Sequence, residues 1–150
     1  MSYLTVITLE TAKNYLRIDP TLTEDDALIT SMINACCLYV EKRTNHILYA
    51  RDKVYNGACQ VKVYDYPINS IVAPIDPLPW FVTRSLYTVY PDAKTVTLNV
   101  GYALNEVPDD LIQPMLQMLH VFYYESEKQV NTTLIPESVK EMVDLSKRFL

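Results

Sequence analysis

Residues 101–128, GYALNEVPDDLIQPMLQMLHVFYYESEK, decide the fold more than any other stretch of this chain. A strand that reaches Val100 ends at the Gly101-Tyr102 turn, and a helix starts at Pro108 under Asp109 and Asp110. Proline has no N–H to leave unbonded at the first helical position, and carboxylates favour the positive end of the helix dipole. Leu111, Ile112, Met115, Leu116, Leu119, Phe122 and Tyr123 then recur at helical spacing, so the segment buries one long face. Pro114 removes one backbone bond in the second turn and should kink the helix near its start. The pattern turns polar at Tyr124-Glu125-Ser126-Glu127.

Upstream of the helix the period changes to two. Thr95-Val96-Thr97-Leu98-Asn99-Val100 alternates strictly, which puts Val96, Leu98 and Val100 on a buried face. Tyr49–Tyr55 and Ala58–Tyr64 flank Asn56-Gly57, a strong signal for a two-residue hairpin turn. Pro91-Asp92-Ala93-Lys94 offers a turn between Ser85–Tyr90 and the alternating strand. Five of the nine prolines (Pro67, Pro74, Pro77, Pro79, Pro91) fall in this region, so its strands should be short and edge-like.

Nearer the N-terminus, Thr8 can cap a short helix, Leu9 to Arg17, with Ala12, Tyr15 and Leu16 facing inward. Asp19-Pro20 ends it. Thr23 and Asp26 resemble a capping box, with Asp in place of the usual Glu, and a longer helix runs to about Asn45. Leu28, Ile29, Met32, Ile33, Cys36 and Val40 give it a broad apolar face. A last helix, Pro136 to about Phe149, carries Val139, Met142, Val143 and Leu145 along one side. The expected fold is α+β and mostly helical. An N-terminal helical hairpin (about 9–45) and two C-terminal helices (about 108–149) enclose a small antiparallel β insertion (about 47–100), in one domain spanning 1–150.

Composition narrows the chemistry. At 150 residues, 49% hydrophobic and 21% charged, the chain can bury a sizeable core and is not of disordered type. Its formal net charge is −5, and no dense Lys/Arg run supplies the basic footprint that a sequence-reading nucleic-acid protein needs. No apolar run approaches the ~20 residues that span a bilayer, and no signal peptide opens the chain, so a cytoplasmic site of synthesis is expected. With only Gly57 and Gly101, the chain cannot write a phosphate-cradling loop, a dinucleotide fingerprint or a nucleophile elbow.

Cys36, Cys37 and Cys59 read as small buried apolar residues, and neither they nor His46 and His120 form ligand pairs at zinc spacing. His120 lies in an apolar helix and His46 at a helix end, where an imidazolium favours the dipole. Asp19, Thr21, Thr23 and Asp25 alternate like the start of a calcium loop, but Thr30 stands where the twelfth-position acid belongs. Asn131-Thr132-Thr133 fits a glycosylation acceptor and reads as a helix-linking turn. No catalytic residue, metal or cofactor is expected.

Five blocks carry a resemblance to a known family. They are Ile7–Asp19 (ITLETAKNYLRID), Glu24–Ile29 (EDDALI), Tyr66–Ile71 (YPINSI), the Gly101–Lys128 stretch, and Ile135–Lys140 (IPESVK). In this order and spacing the chain resembles the small head–tail connector, or adaptor, proteins of tailed bacteriophages. It departs from that pattern at Met142-Val143-Asp144-Leu145 and in the proline-rich stretch containing Leu78-Pro79-Trp80-Phe81. The resemblance implies a structural virion protein, not an enzyme. It would form a dodecameric ring under the portal protein, extend the channel through which genome DNA passes without sequence-specific binding, and offer a platform to the next neck or tail protein. It would reside in the virion neck, and in the host cytoplasm during assembly. A stopper, a tail-completion protein or a small enzyme with an unrecognised site are the alternatives.

Partner contacts are expected at two places. Leu78, Trp80 and Phe81 set two large aromatics on a proline-bounded segment, costly to expose unless something covers them. Val139, Met142, Val143, Arg148 and Phe149 line the last helix and a tail that pairs cations with apolar groups, suited to an acidic, partly apolar surface. The twelve tyrosines fit either core packing or contact surface.

Overall fold

The computed structural model describes residues 2–57, 61–73, 80–83, 86–89, 95–127 and 135–147. A 3₁₀ turn, Tyr3–Thr5, leads into α1 (Leu9–Leu16) and α2 (Asp26–Thr44). Six strands follow: β1 (Arg51–Asn56), β2 (Val61–Val63), β3 (Ile68–Ala73), β4 (Trp80–Thr83), β5 (Leu86–Val89) and β6 (Thr95–Val100). Two helices, α3 (Asp109–Glu127) and α4 (Glu137–Leu145), close the sequence. The fold is the helix-rich α+β arrangement expected, with the β insertion between helical halves.

The helices share one core. Ala12 and Leu16 of α1, Ile29, Ile33, Cys36, Cys37 and Val40 of α2, and Leu111, Met115, Met118 and Leu119 of α3 are buried together with Val139 and Val143 of α4. Each such Leu, Ile, Val or Met stabilises the fold by roughly 1.5–3 kcal/mol relative to exposure. Thr8 caps α1 by accepting from Thr11 N–H at 3.1 Å. Arg17 and Asn45 terminate α1 and α2 in left-handed conformation, at φ 58° and 61°.

The strands form two three-stranded antiparallel sheets, ordered β1-β6-β3 and β2-β5-β4. Alternation in β6 works as expected: Val96, Leu98 and Val100 are buried with Ile47, Val61 and Val63 in a second core. Gly101 is required where β6 ends. Its φ is +113°, and a Cβ there would sit 2.2 Å from the Tyr49 carbonyl oxygen.

Several expectations are corrected. Among the described residues β1 and β2 do not pair as the two arms of an Asn56-Gly57 hairpin: β1 lies along β6 from Arg51↔Val100 to Asn56↔Thr95, β2 lies along β5, and 58–60 fall outside the described residues. β6 is the strand whose buried face can be shared from both edges, so β1 and β3 take those edges and β2 passes to the second sheet, beside β5. The turn at 91–94 lies outside the described residues, and β5 pairs with β2 and β4. Thr23 makes no side-chain cap; α2 starts two residues later, with Asp25 at its N-cap position. Leu28 is 44% exposed and Leu145 84%, while Tyr15 also faces out, so these leave the apolar faces assigned to them. Pro114 does fall inside α3, as its place in the pattern implies, and is buried there.

Candidate interface surfaces

The two halves are joined by charged side chains that the packing buries. Glu41, 6% exposed near the end of α2, accepts from Tyr3 Oη at 2.7 Å and from Leu48 N–H at 2.8 Å. It also takes a two-pronged contact from Arg51 on β1, through Nη1 at 3.1 Å and Nη2 at 2.7 Å. One carboxylate therefore ties the 3₁₀ turn, α2 and the first sheet together. Planar fork-to-carboxylate geometry makes such bonds short and directional. Burial and the Glu41 bond raise the Tyr3 pKa well above the ordinary phenol range, so its hydroxyl stays a donor.

Lys13, also buried, spans the α1–α2 linker. Its Nζ donates to the carbonyls of Leu22 (2.6 Å) and Pro20 (3.3 Å) and lies 2.5 Å from Asp26 Oδ1. Asp19 turns that linker by accepting from Thr21 N–H at 2.9 Å and Thr21 Oγ1 at 2.7 Å, so the alternating Asp/Thr run serves chain geometry. At the far end of α2, Arg43 grips Asp144 of α4 at 2.7 and 2.9 Å. Both side chains are exposed, so solvent screens this bridge and it adds little to stability.

Aromatic groups fill the seam between helices and strands. His46 Nδ1 lies 2.7 Å from Tyr102 Oη, the two rings stack with a 6° interplanar angle, and Tyr66 meets both edge-on. On β1, Lys53 and the Tyr55 hydroxyl both donate to Asp65. Burial, with that bond, pushes the Tyr55 pKa far up. Cys36 and Cys37 are free and buried, as expected, and burial raises both thiols, Cys36 to about 12. Among the described residues no three His, Cys, Asp or Glu side chains are placed to hold a metal ion, and no helix is long and apolar enough to cross a membrane.

Two larger surfaces have no partner within the described chain. Along the outward side of α2, Leu28, Ser31, Ala35, Leu38 and Lys42 are all exposed, with Leu38 at 42%. Across the bundle, α1, α3 and the start of α4 frame an open groove of about 870 Å³, lined by Tyr15, Arg17, Gln117, His120 and Tyr124. His120 there is exposed, edge-on to Tyr15 and 4.6 Å from the Tyr124 ring centroid. A smaller cavity of about 220 Å³ opens beside Tyr49, Tyr102 and Val107.

The residues singled out for partner contact are scattered. Trp80 and Phe81 open β4, paired with Val89 and Thr88, a short strand at the edge of the second sheet. Val139 and Val143 are corrected outright: they are 2% and 0% exposed and belong to the helical core, because α4 turns that side onto α3 and α2. Met142 is half-buried. Leu78, Arg148 and Phe149 lie outside the described residues, as do Cys59 and 131–133. Sequence reasoning missed Glu41 and Lys13. Glu41 could have been found, since the spacing Ile33, Cys37, Val40, Thr44 runs through it and places a carboxylate in the buried arc.

Comparison with known proteins gives these surfaces a context. None of the curated proteins matches the sequence. Among solved structures, a chain in the virion of a native gene transfer agent particle aligns with TM-score 0.73 at 15% identity, covering 100% of this chain and 93% of that one. A chain in the neck of the empty particle, computed with C6 symmetry, aligns with TM-score 0.71 at 14% identity, over 97% and 91%. One in the neck of the native particle, computed with C12 symmetry, aligns with TM-score 0.66 at 15% identity over the same shares. These likenesses show a common fold. The family model for phage gp6-like head–tail connector proteins matches residues 6–149, and the chain belongs to that family.

Proposed function

We propose that this head–tail connector works as a ring of twelve copies seated beneath the portal protein, with residues 1–150 acting as one connector domain. There it lengthens the DNA channel and presents a platform to the next neck or tail protein. The observation that carries this reading is the family match over residues 6–149, joined to a full-length fold likeness to chains of particle necks, one of them computed with twelvefold symmetry. Charge supports it. Twelve copies at −5 carry about −60, and a channel of that sign repels the phosphate backbone, so DNA slides without sticking. Chemistry is not needed for such a role; the protein acts by assembly, in the virion neck, after a stay in the host cytoplasm.

Within this reading Leu78, Trp80, Phe81, Met142, Arg148 and Phe149 remain the proposed partner contacts. Val139 and Val143 are buried core residues of α4 and are not among them. Mass photometry of the protein, alone and mixed with its portal, tests the assembly. The protein should run as a monomer or weak associate alone and add as one closed ring per portal. A tight dimer under both conditions would count against the ring.

A further inference from the structure

Two unpartnered surfaces identified above complement each other. Five of the exposed residues of α2 form a row at intervals of three and four (Leu28, Ser31, Ala35, Leu38, Lys42), flanked by exposed Ala27 and Asn34, the spacing that lays one helix ridge against a second surface. The opposite side of α2 carries Ile29, Ile33, Cys36, Cys37 and Val40 in the core. A helix with leucines and alanine outside as well as a full core face inside has the composition of an element covered on both sides. Leu28 and Leu38 stand about 15 Å apart along the axis, with the small Ser31 and Ala35 between them in the same row and exposed Asn34 beside it, so a partner can approach the backbone closely.

The groove is the matching concavity. α2 and α3 turn their buried faces toward each other, so their exposed faces point away on opposite sides of the bundle. The groove lies on the exposed side of α3, with Gln117, His120 and Tyr124 as its wall. A ridge on one side of a molecule and a groove on the other make a heterologous contact, the kind that closes into rings. Charge agrees in sign. Arg17 at the groove and Glu24 at the head of the α2 face are exposed, and neither makes an ion pair among the described residues.

We propose that the outward face of α2 docks in the α1–α3 groove of a second copy of this chain, with Leu28 and Leu38 against Tyr15, His120 and Tyr124 and with Glu24 facing Arg17. This deepens the ring reading and rests on it. The contact is head-to-tail, so each copy offers one face and fills one groove.

The test uses full-length protein mixed with its portal. One batch carries Leu38→Cys and another His120→Cys, both at exposed positions, and a short thiol-to-thiol cross-linker is added to each batch alone and to an equal mixture. Cross-linked dimer should form only in the mixture, at least tenfold above either batch alone. In parallel, Glu24→Arg and Arg17→Glu should each raise the concentration for half-assembly about fivefold, and the double variant should return it close to wild type. Leu38→Cys cross-linking to itself would show a two-fold contact and overturn the proposal. Rings seen by microscopy with no cross-link in the mixture would also overturn it while leaving the ring reading intact. No ring with wild-type protein would overturn the ring reading, and the docking proposal with it.

Discussion

Replacing Glu41 by Gln should be among the most damaging single changes in this protein. The amide is close to isosteric, so packing is kept while the charge goes. In either orientation its NH₂ group meets an Arg51 N–H, together with the Leu48 N–H on the Oε1 side or the Tyr3 hydroxyl on the Oε2 side, where donors already stand. Removing one member of a buried, hydrogen-bonded ion pair costs about 3–5 kcal/mol, a large part of a domain's margin of roughly 5–15 kcal/mol. Arg51→Met should sit lower in that range, because the guanidinium side chain is a quarter exposed and water can meet part of the loss. The double variant Glu41→Gln/Arg51→Met removes both charges while the amide oxygen can still accept from the Leu48 N–H, at about 1–3 kcal/mol. The single losses should therefore exceed the double loss, with a coupling of at least about 2 kcal/mol. Urea unfolding followed by circular dichroism at 222 nm measures all four proteins. Single losses under about 1 kcal/mol that simply add would refute the view that this carboxylate joins helices to sheet.

Gly101→Ala should destabilise by about 3–5 kcal/mol, from an unfavourable positive φ and a Cβ driven into the Tyr49 carbonyl, and a thermal melt reads it directly. Tyr3 and Tyr55 have folded pKa values raised above the ordinary 10.0, so the fold holds protons that the unfolded chain releases. Their contribution is complete below pH 10.0 and falls as pH rises beyond it; the melting temperature should drop there, and less steeply in a Tyr3→Phe/Tyr55→Phe variant. Val143→Ala should cost about 1–3 kcal/mol as a core truncation, whereas Leu145→Ala should change stability by less than about 0.5 kcal/mol, which chemical unfolding separates.

Much of the architecture was readable where periodicity and burial coincide. β6 alternates because one face meets the second core, and α3 follows its 3.6-residue pattern from the Pro108 start onward. What could not be read depended on non-local choices. Asn56-Gly57 is a sound local turn signal, yet long-range pairing with β6 decides where β1 goes. Leu28 and Leu145 look like core residues in a helical pattern because apolarity says nothing about which surface covers them. The reverse holds for α4, where Val139 and Val143 look like contact residues in the helical pattern although the chain covers them itself. Lys13 was hidden since its burial comes from carbonyls of a linker, at Pro20 and Leu22, which no periodicity encodes.

The central claim is that this chain is a ring-forming connector bound to the portal. Electron microscopy of full-length protein mixed with its portal, with symmetry determined from the images without imposing it, tests that most directly. The account predicts twelve copies in one closed ring, coaxial with the portal and leaving an open channel. Copies bound singly, a closed dimer, or a ring that ignores the portal would contradict it.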